Sequence, residues 1–282
     1  MNEHRRTYRL IAFASIGLWF MALHSERASA TLIAVTYGNP GAQTADSTAL
    51  CLGTSVCVLG TESFNSVSTA NLTTGFTSTF GLTGSQTITG TYSADATAKT
   101  GSNLVSQAAN QYGGAGGTGS YPELMNGSYT IALAVNGVPG VNYFGLWISA
   151  LDANNTIAFY SGGSLLFTFT PSQMITAINA TSNKAAYYGN PNNPTQDTSE
   201  PFAFVNFFGV GGTFDKLVIS NCCGTGFETD NQTVGYRNPA PIIGNLFGVP
   251  EPSAPAILAI GIGAMLLGRR RVISCQKMLS QS

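Results

Sequence analysis

Histidine is missing from almost the whole chain. Its two copies, His4 and His24, both fall within the first 30 of 282 residues. The rest of the chain therefore cannot build a Ser-His-Asp or Cys-His catalytic centre, or a histidine-ligated zinc site. Charge is scarce too, at 9% of residues. Between Thr31 and Gly248 the basic side chains are Lys99, Lys184, Lys216 and Arg237, against ten acidic ones, a net charge of −6. A surface so short of Lys and Arg argues against nucleic acid as a partner and is repelled by anionic lipid. Long hydrophobic runs are absent as well. The apolar stretches 10–23 and 254–268 both fall short of the ~20 residues of a spanning helix.

The two ends nevertheless carry clear signals. His4, Arg5, Arg6 and Arg9 precede the first apolar run, and Ala28-Ser29-Ala30 follows it. That order is a secretory signal peptide over residues 1–30, with cleavage after Ala30 expected to leave Thr31 as the new terminus. At the other end Val249-Pro250-Glu251-Pro252-Ser253 leads into the apolar segment 254–268, which stops at Arg269-Arg270-Arg271. Three arginines beside an apolar segment mark a cytoplasmic stop. At ~1.5 Å per residue this helix reaches only ~22 Å across a ~30 Å hydrocarbon core. It suffices for transient retention in the inner membrane and is short for a permanent anchor.

Tripeptide, short helix and arginine cluster, in that order behind a signal peptide, resemble the PEP-CTERM sorting signal of Gram-negative bacteria that make exopolysaccharide. The resemblance implies that an exosortase reads Pro250-Glu251-Pro252, removes the tail and transfers the protein to an envelope acceptor. The eleven residues after Arg271 exceed what such tails usually carry. Further blocks resemble a subgroup of exosortase-dependent surface proteins with no assigned activity. They are Gly113 to Gly119 with Tyr121, Tyr143 to Trp147, Leu151-Asp152, Asn155 to Tyr160, Phe214-Asp215 and Gly226 to Asn231. These blocks also resemble those of carbohydrate-binding jelly rolls.

The stretch 31–248 reads as all-β on its own pattern. Short apolar blocks separated by Gly and Asn turns are the mark of a many-stranded sandwich. Strands are expected at Leu32 to Tyr37, Gly75 to Phe80, Gln86 to Tyr92, Ser128 to Val135 and Tyr143 to Ala150. The second half adds Thr156 to Tyr160, Leu165 to Thr170, Phe202 to Phe208, Phe214 to Ser220 and Gln232 to Tyr236. Phe202 to Phe208 is apolar on both faces and reads as an interior strand. Thr170-Pro171-Ser172-Gln173 has the form of a capped helix start, and Asn103 to Tyr112 is a second expected helix. Gly113 to Gly119 lacks the lysine of a phosphate loop and reads as a surface loop, and Tyr187 to Pro201 as a long polar one. The fold class expected is a jelly-roll-like antiparallel β-sandwich with one or two short helices, between a signal peptide and a C-terminal hydrophobic helix.

Four cysteines, Cys51, Cys57, Cys222 and Cys223, fall in this stretch, an even number that suggests disulfides in an oxidising compartment. Cys51 with Cys57, beside a vicinal or free Cys222-Cys223 pair, is the first expectation, a crosslink of the two ends of the domain is the second, and four buried thiols are the alternative. Glu228 and Asp230 stand two apart on one strand and so share a face, as a pair of glycosidase carboxylates would. Charged residues that keep a strand's solvent face soluble follow the same pattern. With Asn231 and either Asp152 or Asp215 they also make an oxygen-rich set of the kind that binds Ca²⁺, although no Asp-x-Asp-x-Asp-Gly loop accompanies them. Trp147, Tyr143, Tyr160, Tyr187 and Tyr188 are candidates to stack on sugars. Trp147 is expected in the core, and Tyr187-Tyr188 is expected to be exposed.

The expectation is thus an exported surface or matrix protein without enzymatic activity or cofactor, Ca²⁺ aside. Its partners are an exosortase and extracellular polysaccharide, and its role is structural or polysaccharide-binding in envelope or biofilm. A carbohydrate-active enzyme and an ice- or surface-adhesion protein are the alternatives. The last needs a flat threonine face with a fixed repeat, which these Thr and Ser positions do not show.

Overall fold

Short segments with period-two alternation bury one face only by packing sheet against sheet. The computed structural model describes residues 31–83, 86–94, 104–222 and 226–238. The expected signal peptide with Ala28 and Ala30, the motif Val249 to Pro252, the apolar segment 254–268 and Arg269 to Arg271 all lie outside the described residues.

Among the described residues thirteen strands run in chain order, as β1 Leu32–Tyr37, β2 Val56–Glu62, β3 Phe76–Thr83, β4 Gln86–Ala94, β5 Leu104–Ala108, β6 Ser120–Leu124 and β7 Gly127–Val135. They continue as β8 Tyr143–Ser149, β9 Asn155–Ser161, β10 Ser164–Phe169, β11 Ala203–Val210, β12 Lys216–Asn221 and β13 Glu228–Asn238. One sheet has the order β1-β11-β8-β13-β6-β5, with β2 pairing along the C-terminal half of β13. The other has the order β10-β9-β12-β7-β4-β3. Every pairing is antiparallel. From β7 onward the chain passes repeatedly between the two sheets, so the fold is a jelly-roll-like β-sandwich.

The interior is aromatic. Phe159 meets Phe207 at 4.7 Å and Phe214 edge-on at 5.2 Å, while Phe169 meets Phe207 at 5.2 Å between ring centroids. One polar cluster is buried with them. Gln232 accepts a hydrogen bond from the Tyr92 hydroxyl at 3.0 Å and donates to the Tyr129 hydroxyl at 2.7 Å and to Thr229 at 3.2 Å. A buried amide this fully partnered costs little. At one end of the sheet Asn142 both donates to the Arg237 carbonyl and accepts from its N–H, extending the ladder with a side chain.

Among the described residues the α-helices are three and short: α1 Ser47–Cys51, α2 Thr69–Thr74 and α3 Pro171–Asn179. The cap read from sequence is present in α3, where the Thr170 N–H donates to the Gln173 side chain at 2.7 Å. Cys51 and Cys57 form a disulfide with Cα atoms 5.5 Å apart, tying α1 to β2. Cys222 is exposed just beyond β12, and Cys223 lies outside the described residues. The expected helix from Asn103 to Tyr112 is instead β5 and a turn, with Leu104 to Ala108 paired residue by residue to β6. Pairing to a strand distant in sequence overrides weak helical propensity. Among the described residues no helix is long and apolar enough to cross a membrane.

Candidate functional site

Glu228, Thr229 and Asp230 open β13, which lies between β8 on one side and β6 and β2 on the other. A strand inside a sheet can still show one face to water, and the sequence leaves this one with that reading. The structure overturns it: Glu228 and Asp230 are each only 3% exposed. Loops close over them from elsewhere in the chain.

The two carboxylates face different surroundings. Asp230 accepts from the Ala115 N–H at 2.7 Å and the Asn231 N–H at 2.6 Å, so it pins the glycine-rich loop to the sheet. Burial raises its pKa to about 6 against the pull of those two donors. Asn231, with φ of +47°, donates to the Gln43 carbonyl at 2.9 Å and anchors a second loop. Glu228 instead stands directly opposite Glu123 of β6 and lines a cleft of about 350 Å³ with Tyr112, Glu123, Ala150, Asp152 and Glu200. Burial and then the Glu123 carboxylate push its pKa up to about 9, so it holds a proton at neutral pH. Glu200 is raised in the same direction by burial and by Asp152. The Glu228 Oε2 has no hydrogen-bond partner.

Local backbone shapes this cleft. Gly226 has φ of +88°, and a Cβ there would run into the Glu228 carboxylate and crowd that of Glu123. Ala150, just past the end of β8, holds φ of +46°, where a side chain is strained. The missing side chain at Gly226 thus leaves room for both carboxylates, and Ala150 lines the cleft.

A second depression of about 550 Å³ adjoins the first and shares Tyr112 with it. Amides dominate its lining, which includes Asn110, Gln111, Asn192, Asn193 and Gln196. It forms where the β5–β6 loop meets the polar loop after Tyr187. Asn190 donates to the carbonyls of Asn110 and Gln111 at 3.2 and 2.9 Å, and Asn192 donates to that of Gly114 at 3.2 Å. Gln43 clasps both loops, donating to the Asn192 side chain at 3.0 Å and accepting from the Gly116 N–H. Amide side chains offer both donors and acceptors, which suits hydroxyl-rich ligands.

Other residues singled out from sequence lie elsewhere. Asp215 accepts from the Gly162 N–H at 2.9 Å, at the β9–β10 turn of the other sheet. Trp147 and Tyr143 are buried, and Tyr160 lies under the Lys216 ammonium at 4.3 Å. Tyr187, expected to be exposed, is buried and donates to the Gly38 carbonyl at 2.9 Å. Tyr188 is half-buried. The tyrosine that does stand out at the site is Tyr112, 42% exposed, whose place in the expected helix had hidden it. Of the oxygen-rich set, Glu228 and Asp152 meet in the cleft, while Asp230 and Asn231 are engaged with loops. Among the described residues no three His, Cys, Asp or Glu side chains group as metal ligands. No family model, curated protein or solved structure matches the chain.

Proposed function

We propose that this chain is an exported protein of a Gram-negative cell surface or extracellular matrix whose β-sandwich binds polysaccharide without processing it. An exosortase acting at Pro250-Glu251-Pro252 is the sorting step in this reading, with the segment 254–268 held briefly in the inner membrane until the tail is removed. The observation that carries the binding role is the amide-lined depression beside the exposed Tyr112, on a stretch nearly devoid of positive charge. Asparagine and glutamine match sugar hydroxyls in both senses, and a half-exposed tyrosine offers a ring for stacking.

Retention of the host's own exopolysaccharide by the immobilised full chain tests this role. Asn193→Ala with Gln196→Ala, which lines the depression without holding its loops together, lowers retention at least about fivefold. Undiminished retention by that variant defeats the reading. Mass spectrometry of the surface protein tests the sorting step, with a C-terminus near Pro250 expected and an intact Ser282 against it.

A carbohydrate-active enzyme is the second reading. A protonated Glu228 facing Glu123 in a cleft has the form of a general acid beside a second carboxylate. Release of reducing sugar from the same polysaccharide, lost in Glu228→Gln, decides for it.

A further inference from the structure

Resting on the polysaccharide reading, we infer that the carboxylate cleft receives the protonated amine of an amino-sugar residue, presented by a chain lying in the amide-lined depression. The two hollows share Tyr112, so the cleft lies beside the depression, on the other side of one tyrosine ring.

Glu228 carries the argument. It is 3% exposed, lines the cleft, and its Oε2 has no hydrogen-bond partner. An acceptor buried in that way is costly unless a donor arrives. The groups that act on it across the cleft are themselves acidic, Glu123 on β6 and Asp152 after β8. Glu200, from the polar loop, adds a third carboxylate to the rim, and Tyr112 closes the side. Arg237 reaches the Leu52 carbonyl, and Lys216 sits over Tyr160. Among the described residues no lysine or arginine lines the cleft.

The size and donor set favour an organic cation over a bare ion. A hard divalent ion needs six to eight oxygens closing at ~2.3–2.6 Å, and the described residues group no three acidic ligands. A volume of about 350 Å³ matches a small-molecule pocket. An ammonium brings three N–H donors to a wall made of acceptors. The proton that Glu228 holds without the ligand leaves as the ammonium enters, since the cation takes its place beside the carboxylate. Atoms balance: one proton passes to the buffer for each amine bound.

Calorimetry with the full chain in detergent at about pH 6, below the usual α-amino range, compares hexamers of glucosamine and of N-acetylglucosamine. The expected result is glucosamine binding about tenfold tighter, a difference erased in Glu228→Gln with Glu200→Gln while the acetylated hexamer binds as before. Both substitutions keep side-chain size and remove like charge, and an unchanged melting temperature or a higher one verifies folding. Titration in buffers of different ionisation enthalpy is expected to show proton release that Glu228→Gln lacks. Equal affinity for the two hexamers, or a preference that survives the double substitution, overturns the inference. If neither hexamer binds while the host polysaccharide is still retained, the inference falls and the polysaccharide reading stands. If nothing is retained, both fall. A rise in melting temperature with calcium chloride that Glu228→Gln removes gives the cleft to a metal and likewise overturns it.

Discussion

In the sheet built around β12 and β7, burial alternates residue by residue. Leu217 and Ile219 point into the sandwich, Val218 points away from it half-exposed, and Ala132 and Ala134 of β7 reach water. In the sheet built around β8 and β11, every residue of β8 is buried, and so is all of β11 except Val210. The outer face of that sheet carries its own apolar clusters. Trp147, Ala150, Phe202 and Phe204 form one, and Leu50, Tyr143 and Phe208 form another. The loops that cover them bring Ala42, Ala45 and Ala115 against the sheet. A sheet face left to water needs no covering segment, whereas a covered face needs anchors to hold its cover in place. Asp230, Asn231 and Gln43 supply them here, and the same cover creates the two hollows.

The sharpest test of this contrast is truncation on the two outer faces. Trp147→Ala, on the covered face, is expected to cost ~3–5 kcal/mol, as for a large aromatic in any core. Val218→Thr, at the corresponding position of the open face, is expected to stay within ~0.5 kcal/mol. Chemical denaturation of both variants measures the gap, and similar losses would dissolve the distinction between the faces.

The disulfide at the end of the covering segment comes next in size. A ring closed over six residues of separation constrains the unfolded chain by somewhat less than the ~3 kcal/mol of a fifteen-residue loop, so Cys51→Ser with Cys57→Ser is expected to cost ~2 kcal/mol. The variant still folds, because α1 remains held by Leu50 against Tyr143 and Phe208. Alkylation before and after reduction, followed by peptide mapping, verifies the pairing in the native protein.

Per unit of pH, a smaller effect distinguishes the acids beneath the cover from those in water. Glu228 has a folded pKa of about 9 against an ordinary 4.5, so the folded chain binds the extra proton between those values. Its contribution to stability is therefore full below about pH 4.5 and is lost as pH rises toward 9, by at most ~1.4 kcal/mol per pH unit where the proton is fully linked. Asp230, raised to about 6, acts in the same sense over a narrower window. Melting temperature is expected to fall from mildly acidic to mildly alkaline pH, with a shallower fall in Glu228→Gln. A slope unchanged by that substitution places the proton elsewhere.

Much of the architecture follows from local pattern. Phe202 to Phe208 is apolar on both faces because it runs through the covered sheet, and its composition already says so. Thr170-Pro171-Ser172-Gln173 specifies the start of α3 through its own backbone and side-chain groups. The separation of Cys51 and Cys57 keeps their Cα atoms within disulfide reach, although other pairings stayed open until the structure joined these two. Each is a property of residues close together in the chain.

The site belongs to the other category. Period two correctly puts Glu228 and Asp230 on one face, but nothing near them tells that a loop at Ala115 and a turn at Gln43 will bury that face. Glu123 becomes the partner of Glu228 only through the pairing of β6 with β13, and Glu200 and Tyr112 reach the rim on loops. Tyr187 is buried where its hydroxyl donates to the carbonyl of Gly38, 149 residues away in sequence. Secondary structure and a sandwich were legible because alternation, caps and turns act over a few residues. Burial of charge was not, because the desolvation that moves these carboxyls depends on which distant loops close over them.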